Sequence, residues 1–232
     1  VLNTIFEKIY GASPYKSPTD MGVNMAGNCI CDDEVCREAS RQEIIRRYYA
    51  ALNALVKGDA SDNEAQKIEL LMSLAGITVS DRKAAVYALE RAKETGGPAA
   101  ALELEDGTVV TGKTTKLLGA SAALLLNVLK VLAGIDHEEH IISPESIEPI
   151  QKLKVEYLKS RNPRLHTDEV LIALSASAAA NPQARLALSQ LPKLDGCQAH
   201  TSVMLSDVDI KIFKKLGVQL TCEAVYEHIF LS

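Results

Sequence analysis

Apolar residues recur at helical spacing through most of the chain. Ile44, Ile45, Tyr48, Leu52 and Leu55 fall on one face of a helix predicted from Asp32-Asp33 to about Val56. Carboxylates at its start accept the orphan amides of the first turn, and Lys57-Gly58-Asp59 ends it. A second helix is predicted from about Asp62 to Ala75. A third runs from Ser80 to the breaker Gly96-Gly97-Pro98. The pattern then changes period. Ala101-Leu102-Glu103-Leu104-Glu105 alternates, Asp106-Gly107 supplies a tight turn, and Thr108 to Thr111 is β-branched, which together predict a β-hairpin. The segment from about Thr115 to Ala133 is apolar nearly all round and reads as a buried helix.

Further helices are predicted from Ser143-Pro144 to about Lys159, from Thr167 onward, and from Asn181-Pro182 to about Leu191. The tail reads as strand (His200 to Leu205), helix (Ser206 to Leu216, Asp209 completing a capping-box-like pair) and strand (Val218 to Cys222). The expected fold is α+β and helix-rich. A hairpin and a C-terminal strand-helix-strand unit form a small mixed sheet. Three regions are expected: a helix and polar loop over 1–32 that continue from a missing N-terminal half, a helical subdomain over 33–97, and an α+β core over 98–232. The apolar pattern Leu2, Ile5, Phe6, Ile9 suggests a helix already under way at the first residue.

Two dense polar segments fit no period. One, Tyr15 to Cys36, carries Asp20, Asn24, Asn28, Asp32 and Asp33 among Gly22, Gly27 and Pro18. The other is Ser160-Arg161-Asn162-Pro163-Arg164-Leu165-His166-Thr167-Asp168-Glu169. Polar loops on a rigid scaffold are where binding and catalysis concentrate. These segments, with Gly112-Lys113-Thr114 and Gln151-Lys152-Leu153-Lys154-Val155-Glu156-Tyr157-Leu158, resemble the C-terminal part of a bacterial family known as domain of unknown function 1846. The resemblance runs over essentially the whole chain. It departs at Cys31 and Cys36, where aliphatic residues are expected. It implies a protein about twice this length, whose N-terminal half is an α/β domain with its own Gly-rich, P-loop-like stretch. A peptidase label also travels with the family, but no H-E-x-x-H pattern and no Gly-x-Ser-x-Gly elbow occurs here.

Composition narrows the partners. Across 232 residues the formal net charge is −5, which disfavours nucleic acid and anionic membrane surfaces. Aromatics make up 4% and Trp is absent, so the core must be aliphatic and Ala-rich. Five cysteines, an odd number, with no secretory signal in view lead to the expectation of a reduced, cytoplasmic chain. Cys29, Cys31 and Cys36 form one cluster only, whereas a structural zinc site wants ligand pairs in two places. His137-Glu138-Glu139-His140 has the wrong order for a metalloprotease helix. No metal ligand set and no cofactor is assigned.

Gly107-Thr108-Val109-Val110-Thr111-Gly112-Lys113-Thr114 matches the phosphate-binding pattern G-x-x-x-x-G-K-T, but Gly107 belongs to a hairpin turn and Val109-Val110 want a strand. A narrower expectation remains: Lys113 and Thr114, at a helix N-terminus, bind an anion. Arg161 and Arg164 precede another helix start and make a phosphate or carboxylate clamp. His166 is the candidate acid or base, oriented by Asp168. Asn24 and Asn28 add polar contacts if the two polar segments converge. The leading expectation is a bacterial enzyme component that binds an anionic, phosphate-bearing small molecule. The other is a non-catalytic assembly domain that builds a homo-oligomer and supports the N-terminal half of the same protein.

Overall fold

The computed structural model describes residues 2–12, 32–59 and 62–227. Asn24 and Asn28, with Asp20, Cys29 and Cys31, lie outside the described residues. The chain divides into two compact units, Val1–Ile45 and Arg46–Ser232. Helix α1 (Leu2–Tyr10) belongs to the first, and α2 (Asp33–Lys57) begins there, its first amides held by Asp32 Oδ1 at 3.0 Å from the nitrogens of Glu34 and Val35. The second unit carries α3 (Asp62–Ala75), α4 (Lys83–Thr95), β1 (Ala99–Glu103), β2 (Val109–Lys113), α5 (Ala120–Ala133) and α6 (Pro144–Lys152). It continues through α7 (Thr167–Ser177), α8 (Pro182–Leu188), β3 (Gln198–Thr201), α9 (Asp207–Lys215) and β4 (Gln219–Cys222).

The four strands form one mixed sheet in the order β2-β1-β3-β4. β1 is antiparallel to both β2 and β3, and β3 runs parallel to β4 through the α9 crossover. The fold is therefore the expected α+β arrangement of a hairpin and a strand-helix-strand unit. The hairpin turns at Asp106-Gly107: Gly107 takes φ +83°, and the Leu104 amide donates to Thr108 O at 2.8 Å. β1 sits two residues further from the turn than alternation indicates, and β2 starts one residue later than Thr108 and ends two later than Thr111. Ala99, Ala100 and Ala101 are covered on both faces and so show no polar alternation, yet they are strand.

One face of the sheet is apolar. Ala100, Leu102, Val110 and Ala199 pack with Leu124, Leu125, Val128 and Leu129 of α5 in the main core. Gly112 lies on this face, and a Cβ there would sit 2.2 Å from the Leu124 nitrogen. The glycine that completes the phosphate-loop pattern is thus required by close strand-helix packing. The start of α5 also differs from expectation. The Thr115 hydroxyl accepts from the amides of Leu117 and Leu118, and Leu117 and Gly119 then pair with Leu165. These bonds delay the helix to Ala120, so Lys113 ends a strand and Thr114 follows it, neither at a helix N-terminus.

The other face is polar where β3 and β4 run together. His200 shares it with Thr221, and Gln198 with Gln219. Arg82, just before α4, is only 1% exposed. It donates to Thr221 Oγ1 and Ala199 O at 2.8 Å each, and to Gln198 Oε1 and Gln219 O. Burial, helped by the charge of Arg46, lowers its pKa to about 10, so it remains a cation satisfied by dipoles. His200 is fully buried against the Tyr49 ring, and burial pushes its pKa down. Its Nδ1 lies 2.8 Å from Thr221 Oγ1, and its Nε2 is 3.3 Å from Glu223 Oε1 in an electrostatic contact that falls short of hydrogen-bond geometry. The Tyr49 hydroxyl donates to the same Glu223 oxygen at 3.1 Å.

Gly112→Ala is expected to cost on the order of 3 kcal/mol, because backbone on the α5 side must move to admit one methyl. The check is the midpoint of urea unfolding, with Gly97→Ala, which meets nothing within 4 Å, as the neutral control.

Candidate functional site

The segment 153–169 carries most of the candidate residues. α6 passes into one π-helical stretch, Leu153–Tyr157, and Lys159 then takes φ +56°. Such wide turns re-aim side chains and cluster at functional sites. Here the result is an inward lysine. Lys154 is buried, its ammonium donating to Arg164 O at 2.6 Å and to Glu169 Oε2 at 2.7 Å. Glu169 in turn accepts from the His166 amide at 2.8 Å, and His166 is the N-cap of α7.

The imidazole of His166 is held from a distant part of the chain. Asp209 Oδ2 lies 2.9 Å from His166 Nδ1. Asp209 Oδ1 accepts from the Thr167 amide at 2.9 Å and from its hydroxyl at 2.8 Å, and the Ser206 hydroxyl donates to Oδ2 at 2.7 Å. The carboxylate side chain is 4% exposed and the imidazole 32%. Burial pushes the Asp209 carboxyl up, but the hydrogen bonds from His166, Thr167 and Ser206 outweigh it and hold the pKa down at about 2. The bond to Asp209 raises His166 above its ordinary value, against a smaller opposing effect of burial. With Nδ1–H given to the carboxylate, the neutral ring keeps its lone pair on Nε2, which has no hydrogen bond among the described residues. Ser206 approaches Nδ1 at 3.5 Å, so it is a partner of the carboxylate and not a nucleophile activated by Nε2.

Asp168 therefore does not orient His166. Its Oδ1 accepts from the Glu169 amide at 2.9 Å, a first-turn role. Arg164 is committed to Glu227, both half-buried, through Nη1 and Oε1. Arg161 is exposed and forms no ion pair among the described residues. Lys113 lies elsewhere, exposed at the end of β2 in the wall of a groove that Arg161, Arg164 and His166 do not line. Thr114 has a buried hydroxyl oxygen with no hydrogen-bond partner among the described residues. Among the described residues no group of three His, Cys, Asp or Glu could hold a metal, and Cys36, Cys197 and Cys222 are free thiols. No described helix is long and apolar enough to cross a membrane.

Asp209 and Lys154 carry the site and neither stands out in sequence. Asp209 reads as the third residue of a helix start after Ser206, and it does donate its amide to Ser206 Oγ at 3.2 Å. Lys154 sits in an unremarkable helical run whose register changes only in three dimensions.

Residues 80–231 match the sequence profile of the domain of unknown function DUF1846, C-terminal, and residues 1–76 that of its N-terminal domain. A UPF0371 protein of Corynebacterium urealyticum is 57% identical over 226 residues, 97% of this chain and 46% of that protein. One from Corynebacterium efficiens is 58% identical over 227 residues, and one from Streptococcus uberis 50% over 228, each covering 98% of this chain and 46% of the relative. The chain belongs to the DUF1846 family and spans somewhat under half the length of these relatives.

Asp209→Asn is expected to lose roughly 2 kcal/mol of stability near pH 5, the equivalent of a carboxyl held at about 2 instead of 3.8. The carboxylate contributes fully above pH 3.8 and fades as pH falls through about 2. The imidazole contributes fully below pH 6.5 and fades as pH rises through its raised value. The gap between wild type and variant should therefore be widest between those limits, measured by urea unfolding across pH.

Proposed function

We propose that this chain is part of a cytoplasmic enzyme that binds an anionic, phosphate-bearing small molecule, with His166 exchanging a proton with it. The observation that carries the reading is a buried carboxylate, Asp209, fixing the tautomer and direction of a one-third-exposed imidazole. The hydrogen bond to Asp209 raises the His166 pKa and so favours its protonated form, which attracts an anion and can donate a proton. Arg161, exposed in the same segment, forms no ion pair among the described residues and is the cation proposed to meet the anion. Arg164, spent on Glu227, shapes that segment instead of holding ligand. Asn24 and Asn28 stay in the reading as polar contacts, and Lys113 and Thr114 as a separate anion contact. The remainder of the longer protein would supply the other wall of the site.

A second reading, an assembly domain, is favoured by one observation. Leu70 and Leu74 expose one apolar face of α3, and Leu153, Tyr157, Leu158 and Ile172 are also exposed. It predicts a homo-oligomer or tight docking of the N-terminal half, whatever the state of His166.

The test is imidazole NMR of the full chain with a panel of inorganic phosphate, pyrophosphate and phosphomonoesters. His166 signals should move saturably at roughly millimolar ligand, and Arg161→Ala should weaken that response about tenfold. If His166 shows no saturable shift, or if Arg161→Ala leaves its response unchanged, the enzyme reading is wrong.

A further inference from the structure

A groove of about 1120 Å³ follows β2, which is an edge strand of the sheet among the described residues. All five strand residues line it, faced by Leu126, Asn127 and Val131 of α5 and by the segment from Ile135 to Ile147. It shares no lining residue with the His166 site.

Strand register decides which backbone groups face the groove. The Leu104 amide donates to Thr108 O, and the Thr114 amide to Pro98 O, each across to the β1 side. Val110 and Gly112 fall in the same alternation and also point toward β1. The N–H and C=O groups of Val109, Thr111 and Lys113 therefore point outward. Among the described residues one of these groups has a partner: Thr111 O accepts from Asn127 Nδ2 at 2.9 Å. β2 carries no proline and no bulge, two of the devices that blunt an exposed edge, and its one charged residue, Lys113, stands at its end.

The charge of the groove narrows its occupant. Arg91, Lys113, Lys116 and Lys130 line it against the single carboxylate of Glu139, in a chain whose formal net charge is −5. Arg91 is paired with Glu94 at 3.1 Å, and Lys130 is spent on His137 O at 2.6 Å with Glu138, Glu139 and Asp136 acting on it, so Lys113 and Lys116 carry the positive balance. An amphiphilic small anion would use the cations and the aliphatic wall but leave the row of strand groups unsatisfied. An extended peptide satisfies them with its own backbone, and its acidic side chains meet the cations. The five residues of β2 span roughly 17 Å, enough for a short extended segment.

We propose that the β2 edge is a docking site for an extended, acidic peptide segment, which adds to the sheet as a further strand beside β2. The segment alternates acidic and aliphatic residues, matching the cationic rim and the apolar wall.

The experiment uses the full chain and a soluble peptide of alternating Glu and Val, read by site-resolved amide hydrogen exchange. Exchange at Val109, Thr111 and Lys113 should slow at least about tenfold with peptide near 1 mM. The same peptide N-methylated along one edge should not protect them. Thr111→Pro removes one outward donor without touching the β1 ladder, so it should abolish protection while the protein stays folded. The paired charge reversals Lys113→Glu and Lys116→Glu should weaken binding about tenfold, and should do so even if the proline variant fails to fold. No protection by the peptide, or equal protection by its Lys-Val counterpart, overturns the proposal. Binding of decanoate in its place, without amide protection, also overturns it and makes the groove a small-amphiphile site.

Discussion

The candidate site depends on one buried carboxylate. Asp209 stands at the start of α9 and takes four hydrogen bonds, three of them from His166 and Thr167 at the start of α7. From the first turn of α9 this single negative charge satisfies the Thr167 amide at the start of α7, and it suits both helix dipoles. Every bond to it favours the ionised form, which is how a carboxylate with 4% of its side chain exposed stays charged. His166 inherits its position from that arrangement. Its amide is fixed by Glu169, its Nδ1 by Asp209, and only Nε2 remains uncommitted among the described residues. Lys154 completes the set by pairing with Glu169 from the π-helical turn, so the loop between α6 and α7 is tied to the helix it precedes.

The scaffold beneath has two chemically different faces. Against α5 the sheet is aliphatic and close-packed, close enough that position 112 must be glycine. On the other face Arg82 knits β3 and β4 through side-chain and carbonyl oxygens, and His200, Tyr49 and Glu223 continue the polar contacts toward the end of β4. A buried cation satisfied this fully specifies one register for a parallel strand pair, since a shift of one residue would strand its donors. That rigidity serves any site at the strand ends, where Ser206 and Glu223 both lie just past β3 and β4.

What the sequence made legible was whatever local chemistry determines. Asp106-Gly107 turns the hairpin because a residue at positive φ is needed there. Ser143-Pro144, Asn181-Pro182 and Ser206 open α6, α8 and α9 because the signal for a helix start lies within four residues. The site was legible only in part. His166 was found because it sits in a charged loop at a helix start. Its orienting acid was assigned to the adjacent Asp168, while the true partner is 43 residues away on another helix. Arg164 looked free because its partner, Glu227, is 63 residues off. Arg82 carries no local signal in the sequence, and nothing short of the tertiary fold brings four acceptors to it. The phosphate-loop pattern misled for the same reason: both of its glycines serve backbone geometry, one in a turn and one under a helix.

The measurement that tests the account most directly is a pH titration of the His166 imidazole by NMR, in the wild-type chain and in Asp209→Asn. The account requires a midpoint above 6.5 in the wild type, Nδ1 protonated throughout, and a fall in the midpoint when the carboxylate becomes an amide. A wild-type midpoint at or below 6.5, unchanged by the substitution, would mean that Asp209 serves only to join two helices and that His166 is not a poised acid or base.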